Sequence, residues 1–200
     1  RVASKIRKSN LKVPIIHYVV PSVWAWRKSR AEKMSKIFNH VLALLPFERR
    51  FMAEVGLSCD FVGHPLVVQA LPTTEDILEV RRFLGIEANT KIFTLLPGSR
   101  ISEIKRMFKI YSKLIKLFLN KFPDYEIVIA SPNTVANYVS ACIIQSRLPI
   151  KILSANDVSI ERFETLKYSL FSTSSVAMAT SGSVSIELAR MGTPMVIGYR

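Results

Sequence analysis

Apolar and polar residues fall along this chain in blocks, and the period of the pattern changes from block to block. The clearest block is helical: Ile104, Met107, Phe108, Tyr111, Leu114, Ile115 and Phe118 recur at i, i+3 and i+4 over four turns. Before it comes the apolar run of residues 91–96, whose length and composition suit a strand covered on both faces. The same two patterns repeat on either side. Residues 13–20 predict a nearly continuous buried strand, followed by a basic helix near 28–38, a strand at 40–45, a short helix to about 55 and a strand at 59–63. Residues 67–74 contain Pro72 and two threonines and hold no sustained period. A helix at 75–84 follows, with Gly85 placed as its stop. Beyond it the pattern predicts strand 91–96, helix 102–120, strand 126–130, helix 134–146, strand 150–153, helix 159–172, strand 176–180, a helix to 191 and a strand from 194.

Strands alternating with helices predict an α/β protein built on parallel sheets. The break at 67–74 divides it into a first unit, 1–66, a linker, and a second unit, 75–200. The chain begins Arg-Val-Ala rather than with Met and stops just after a strand-like run. The expectation is therefore an internal fragment, with the first unit cut at its N-terminus and the second at its C-terminus.

Composition narrows the class. Apolar residues make up 49% of the 200, ample for a core, which argues against disorder. Apolar runs such as 41–45 fall far short of the ~20 residues that span a bilayer. Cys59 and Cys142 have no metal-ligand spacing and are expected as free thiols in a reducing compartment. No Cys/His/Asp cluster has metal spacing either, so no cofactor is expected. The net charge of +13 is uneven: residues 1–70 hold 12 of the 28 basic residues against 4 of the 15 acidic ones. Such a balance attracts an acidic partner without choosing among nucleic acid, anionic lipid and a phosphorylated substrate.

Two loops carry the chemistry. Gly98, Ser99 and Arg100 lie between an apolar strand and the strong helix, where unpaired N–H groups and the helix dipole attract an anion. Arg100 adds a planar cation suited to phosphate oxygens. Ser181, Gly182 and Ser183 repeat that layout after the strand at 176–180. Glu187, one turn further on, is a pure acceptor that suits a ribose diol. Read singly, each has a bland counterpart: an ordinary βα loop, or a glutamate that only complements the helix dipole. Two such loops at carboxyl ends of strands in one parallel sheet match the place where open α/β sheets bind ligands. By the same rule Ser22, Trp24, Trp26 and Arg27, and the pair His64-Pro65, line the rim of the first unit. The tryptophans suit a stacked sugar or a membrane, but core packing is commoner. His64 suits a general base, although a satisfied loop histidine is commoner.

Several motifs together resemble one family. Pro21-Ser22-Val23-Trp24-Ala25-Trp26-Arg27, Val41-Leu42-Ala43-Leu44-Leu45-Pro46-Phe47-Glu48 and Phe61-Val62-Gly63-His64-Pro65-Leu66 closely resemble the lipid-A-disaccharide synthases. So do residues 95–103 (LLPGSRISE) and 180–187, followed by Gly192-Thr193-Pro194-Met195-Val196. The order is the same and nearly the whole chain is covered. The resemblance implies a GT-B fold of two Rossmann-like units and an inverting glycosyltransferase. Its substrates would be UDP-2,3-diacylglucosamine and 2,3-diacylglucosamine 1-phosphate, joined into the lipid A disaccharide with release of UDP. It further implies that Gly98, Ser99, Arg100, Ser181, Gly182 and Ser183 hold the diphosphate and that Glu187 holds the ribose. Ser183 stands where the family commonly has Thr, and both keep a hydroxyl. The family's proposed catalytic aspartate lies upstream of anything that matches this chain, so the catalytic base is unassigned and residues 1–200 alone are expected to be inactive.

The family also implies a cytoplasmic enzyme, peripheral on the inner membrane of a Gram-negative bacterium, with an anionic membrane surface as partner and a homodimer of the full-length protein left open. Rivals of the same fold are a transferase that adds GlcNAc to a peptidoglycan lipid intermediate and a UDP-sugar epimerase. A non-catalytic membrane-associated remnant is a rival of another class. A basic nucleic-acid-binding module is disfavoured, because Lys and Arg are scattered along helices rather than interleaved with aromatics on one face.

Overall fold

Among the described residues the strands sort into two sheets whose pairings are all parallel. The structure is a computed structural model that describes residues 2–9, 11–22 and 28–198. It divides into two units, residues 1–68 and 69–200.

In the first unit β1 (Ile16–Tyr18), β2 (His40–Ala43) and β3 (Ser58–Phe61) pair in that order. Helices α1 (Val2–Lys8), α2 (Lys28–Ser35) and α3 (Glu48–Ala53) accompany them, with a 3-10 turn at Pro65–Val68. Val20, Ala31, Met34, Val41, Ala43, Met52 and Leu57 form the core. The buried Glu48 closes the loop after β2, its Oε2 accepting from the N–H groups of Leu44 and Leu45 at 3.1 and 2.9 Å.

The expectation of a buried strand at 13–20 needs correcting. Only residues 16–18 are strand, and Ile16 and Tyr18 are 59% and 51% exposed, while Val20 is buried. β1 is an edge of its sheet, and an apolar run is the same sequence signal whether its faces are covered or open.

The second unit opens on α4 (Thr74–Leu84). Thr73 and Asp76 form a reciprocal capping box at its start, and Gly85, at φ 60°, ends it in the left-handed conformation that glycine adopts without strain. Then follow β4 (Lys91–Leu96), α5 (Ile101–Lys121), β5 (Tyr125–Ser131), α6 (Asn133–Ser146), β6 (Ile150–Ser154), α7 (Ile160–Thr173), β7 (Val176–Thr180), α8 (Val184–Arg190) and β8 (Met195–Gly198). The strand order is β6-β5-β4-β7-β8. β4 is buried along five of its six residues, as a central strand covered on both sides must be. Its Phe93 and Leu95, with Ile127 and Ile129 of β5, pack under the apolar stripe of α5, where Ile104, Tyr111 and Ile115 are fully buried. The buried hydroxyl of Thr94 on the central strand is paired: its Oγ1 lies 2.6 Å from Ser174 Oγ, which in turn donates to the Leu170 carbonyl. Among the described residues no helix is long and apolar enough to cross a membrane.

Candidate functional site

The order of the second sheet decides where a ligand can sit. From β4 the chain moves outward through β5 to β6, then returns across the sheet to β7 on the other side of β4 and continues to β8. β4 and β7 are hydrogen-bonded neighbours from which the chain departs in opposite directions. Outside their carboxyl ends a crevice opens, because the connections leave to opposite sides. The loop after β4 is 97–100 and the loop after β7 is 181–183. The structure thus brings Gly98, Ser99 and Arg100 together with Ser181, Gly182, Ser183 and Glu187 on the wall of one cavity of about 370 Å³.

Gly98 has φ 121°, a conformation that side chains rarely adopt, and a Cβ there would lie 2.7 Å from Glu103 Cβ and from its Oε2. That closeness reflects a contact no sequence argument supplied. Glu103 turns back from the first turn of α5 so that its Oε2 accepts from Ser99 N–H at 3.1 Å and its Oε1 from Arg100 Nη1 at 2.6 Å. Burial raises the Glu103 pKa, but these bonds and the Arg100 charge outweigh it and hold the carboxyl below its ordinary range. The loop therefore already holds an anion, supplied by its own helix.

Across the cavity stands a second charged group that sequence reasoning missed. Lys167 of α7 reaches Glu164 Oε2 at 2.7 Å and Glu187 Oε2 at 2.9 Å. Its side chain is only 14% exposed, and its ammonium lies 4.6 Å from the centre of the Tyr168 ring. Burial lowers the Lys167 pKa, yet the bonds to Glu164 and Glu187 prevail and hold it above the ordinary lysine value. No local spacing in the sequence links Lys167 to Glu187, because the pair forms between α7 and α8, which β7 separates along the chain.

In the first unit Trp24, Trp26 and Arg27 lie outside the described residues, and Ser22 is exposed. His64 is a half-buried loop histidine whose Nδ1 accepts from Leu66 N–H at 3.2 Å. A ring that accepts at Nδ1 carries its proton on Nε2. His40 lies between Ser58 Oγ, 2.9 Å from Nδ1, and Asp60 Oδ2, 3.3 Å from Nε2. His40 and Ser58 open their strands, so this cluster sits at the amino ends, away from the rim where parallel sheets bind ligands. Among the described residues no group of three or more His, Cys, Asp or Glu side chains is placed to hold a metal ion.

Comparison with known proteins bears on this geometry. The family model described as lipid-A-disaccharide synthetase matches residues 1–200. Curated relatives named lipid-A-disaccharide synthase include those of Ruegeria pomeroyi, 38% identical over 100% of this chain and 49% of the relative, and Rhodospirillum centenum, 38% identical over 100% and 48%. A third, from Neisseria meningitidis, is 32% identical over 100% and 50%. The chain spans about half the length of the curated relatives it matches. Among solved structures, a glycosyltransferase from Rickettsia africae aligns with a TM-score of 0.53 at 17% identity, covering 98% of this chain and 60% of that one. Escherichia coli ADP-heptose lps heptosyltransferase II aligns with a TM-score of 0.50 at 9% identity, covering 98% and 78%. At such identities the likeness speaks for the fold alone, and that fold is the GT-B type.

Proposed function

Because the chain belongs to the lipid-A-disaccharide synthetase family, we propose that its second unit holds the nucleotide diphosphate of a UDP-sugar within an inverting glycosyltransferase of lipid A biosynthesis. The donor is UDP-2,3-diacylglucosamine and the acceptor 2,3-diacylglucosamine 1-phosphate; the products are the lipid A disaccharide 1-phosphate and UDP. One observation carries this reading: the two anion-loop candidates and Glu187 line a single cavity at the switch point of the second sheet.

The chemistry follows from those residues. As the glycosidic bond to the donor breaks, negative charge gathers on the departing diphosphate. In this reading Arg100, the Ser99 N–H and the hydroxyls of Ser181 and Ser183, all from residues that line the cavity, stabilise that charge. A diphosphate with two or more negative charges competes with the single carboxylate of Glu103 for Arg100 and Ser99, the two groups that Glu103 holds. Glu187 accepts from the ribose diol. The base that takes the acceptor proton is not among these residues. The first unit, with Ser22 and His64 on its rim, belongs to the acceptor side. The acylated substrates bring the protein to the cytoplasmic face of the inner membrane, where the surplus of basic residues favours an anionic leaflet. The names of the relatives favour this reading over the peptidoglycan transferase and the epimerase.

Calorimetric titration of the 200-residue chain with UDP, UMP and uridine tests it. UDP should bind most tightly and uridine least, since the diphosphate meets most of the assigned donors. Equal affinity for all three, or no binding of UDP, contradicts the assignment.

A further inference from the structure

Lys167 has three N–H donors and no acceptor. Two point at carboxylates, Glu164 at 2.7 Å and Glu187 at 2.9 Å, and the face of the Tyr168 ring lies 4.6 Å away at its centre. A lysine so surrounded keeps at most one donor for a phosphate, although it lines the same cavity as the two loops. Its effect on Glu187 is specific. It engages Oε2, which is buried and has no other hydrogen-bond partner among the described residues.

A carboxylate on a short helix has several rotamers, and only some direct an oxygen into the cavity. An ion pair across two helices selects among them, because Lys167 is itself clamped by Glu164 on its own helix and shielded from water. Resting on the nucleotide-sugar reading above, we infer that Lys167 is a positioning residue for nucleoside recognition: it locks Glu187 so that Oε1 faces the ribose diol, and it does not touch the diphosphate. The ligand chemistry it serves is the sugar hydroxyl pair of a nucleotide, as distinct from any anion.

Calorimetry on the 200-residue chain separates this from a structural role. Lys167→Met should weaken UDP by about tenfold, the size of one charged hydrogen bond misplaced, and change inorganic pyrophosphate by less than about twofold. Lys167→Arg keeps a cation between the two carboxylates and should restore most of the UDP affinity. In the double variant with Glu187→Gln the two losses should fail to add, because both remove one contact. A merely structural lysine would weaken both ligands alike or add to Glu187→Gln, and either result overturns the inference. Should Lys167→Met fail to fold, the 15N resonance of the Lys167 ammonium in the unaltered chain decides: it should move with UDP and stay with pyrophosphate, and an equal shift overturns the inference. If the unaltered chain binds no UDP, the nucleotide-sugar reading itself fails, a result distinct from UDP binding that ignores Lys167.

Discussion

Arg100 donates from Nη1 to Glu103 Oε1 at 2.6 Å, across the first turn of α5. The cation expected to meet a phosphate is thus paired with an internal carboxylate, which also takes the Ser99 N–H. The contact reconciles a helix whose N-cap residue, Arg100, supplies no side-chain cap with a loop that orients its donors before any ligand is bound.

Replacing Arg100 by Ala should weaken UDP binding by ~1.5–3 kcal/mol, the range for a lost charged hydrogen bond. Calorimetry checks this, and an unchanged affinity would remove Arg100 from the site.

Glu103→Gln should act in the opposite direction on the ligand. Removing the competing charge frees Arg100 and Ser99, so pyrophosphate should bind a few-fold more tightly while thermal stability falls. The pH dependence has a fixed sign. Glu103 has a lowered folded pKa, so its contribution is present above the ordinary carboxylate range and lost as pH falls through the lowered value. The stability gap between parent and variant should therefore close in acid, and a gap that widens there would contradict this placement of the carboxylate.

Gly98→Ala should disrupt the loop. The new Cβ would meet Glu103 Cβ at 2.7 Å on a backbone of positive φ, and the cost should be at least about 1 kcal/mol. Chemical denaturation reads the loss, and UDP affinity should fall with it. A fully stable variant with parental affinity would show that the loop tolerates another shape.

The sequence made the alternation of elements and both loops legible, because strand–turn–helix patterns are local. Strands β4 and β7 lie where the apolar runs at 91–96 and 176–180 put them. What the residue pattern alone could not reveal is which loops meet; only the family resemblance joined 98–100 with 181–183. Residues 98–100 and 181–183 converge because β7 inserts beside β4, a fact of strand order. Lys167 and Glu164 were missed for the same reason, since they join the site through a crossover helix. The capping box at Thr73 was legible in its Thr-x-x-Asp spacing and lay hidden inside the stretch read as a linker. Exposure of β1 was not legible, since period and composition are the same for an edge strand and a covered one.

Lys167 supplies a prediction at the alkaline end. Its folded pKa is raised above the ordinary value near 10.5, so the stability it contributes is complete below that value and is lost as pH rises through the folded one. The difference in unfolding free energy between the parent chain and Lys167→Met should hold steady through neutral pH and shrink only in strong alkali. A difference that vanished near neutrality would mean that Lys167 is not held by Glu164 and Glu187.

Amide hydrogen exchange with and without UDP tests most directly whether the cavity at the switch point is the nucleotide site. Slowed exchange should appear in the loop and first turn at 98–104 and in 181–187, the two stretches that line the cavity from neighbouring strands. Protection at both, with the first unit unchanged, is the expected result. UDP that binds yet protects neither stretch, or protects only residues elsewhere, would contradict the assignment.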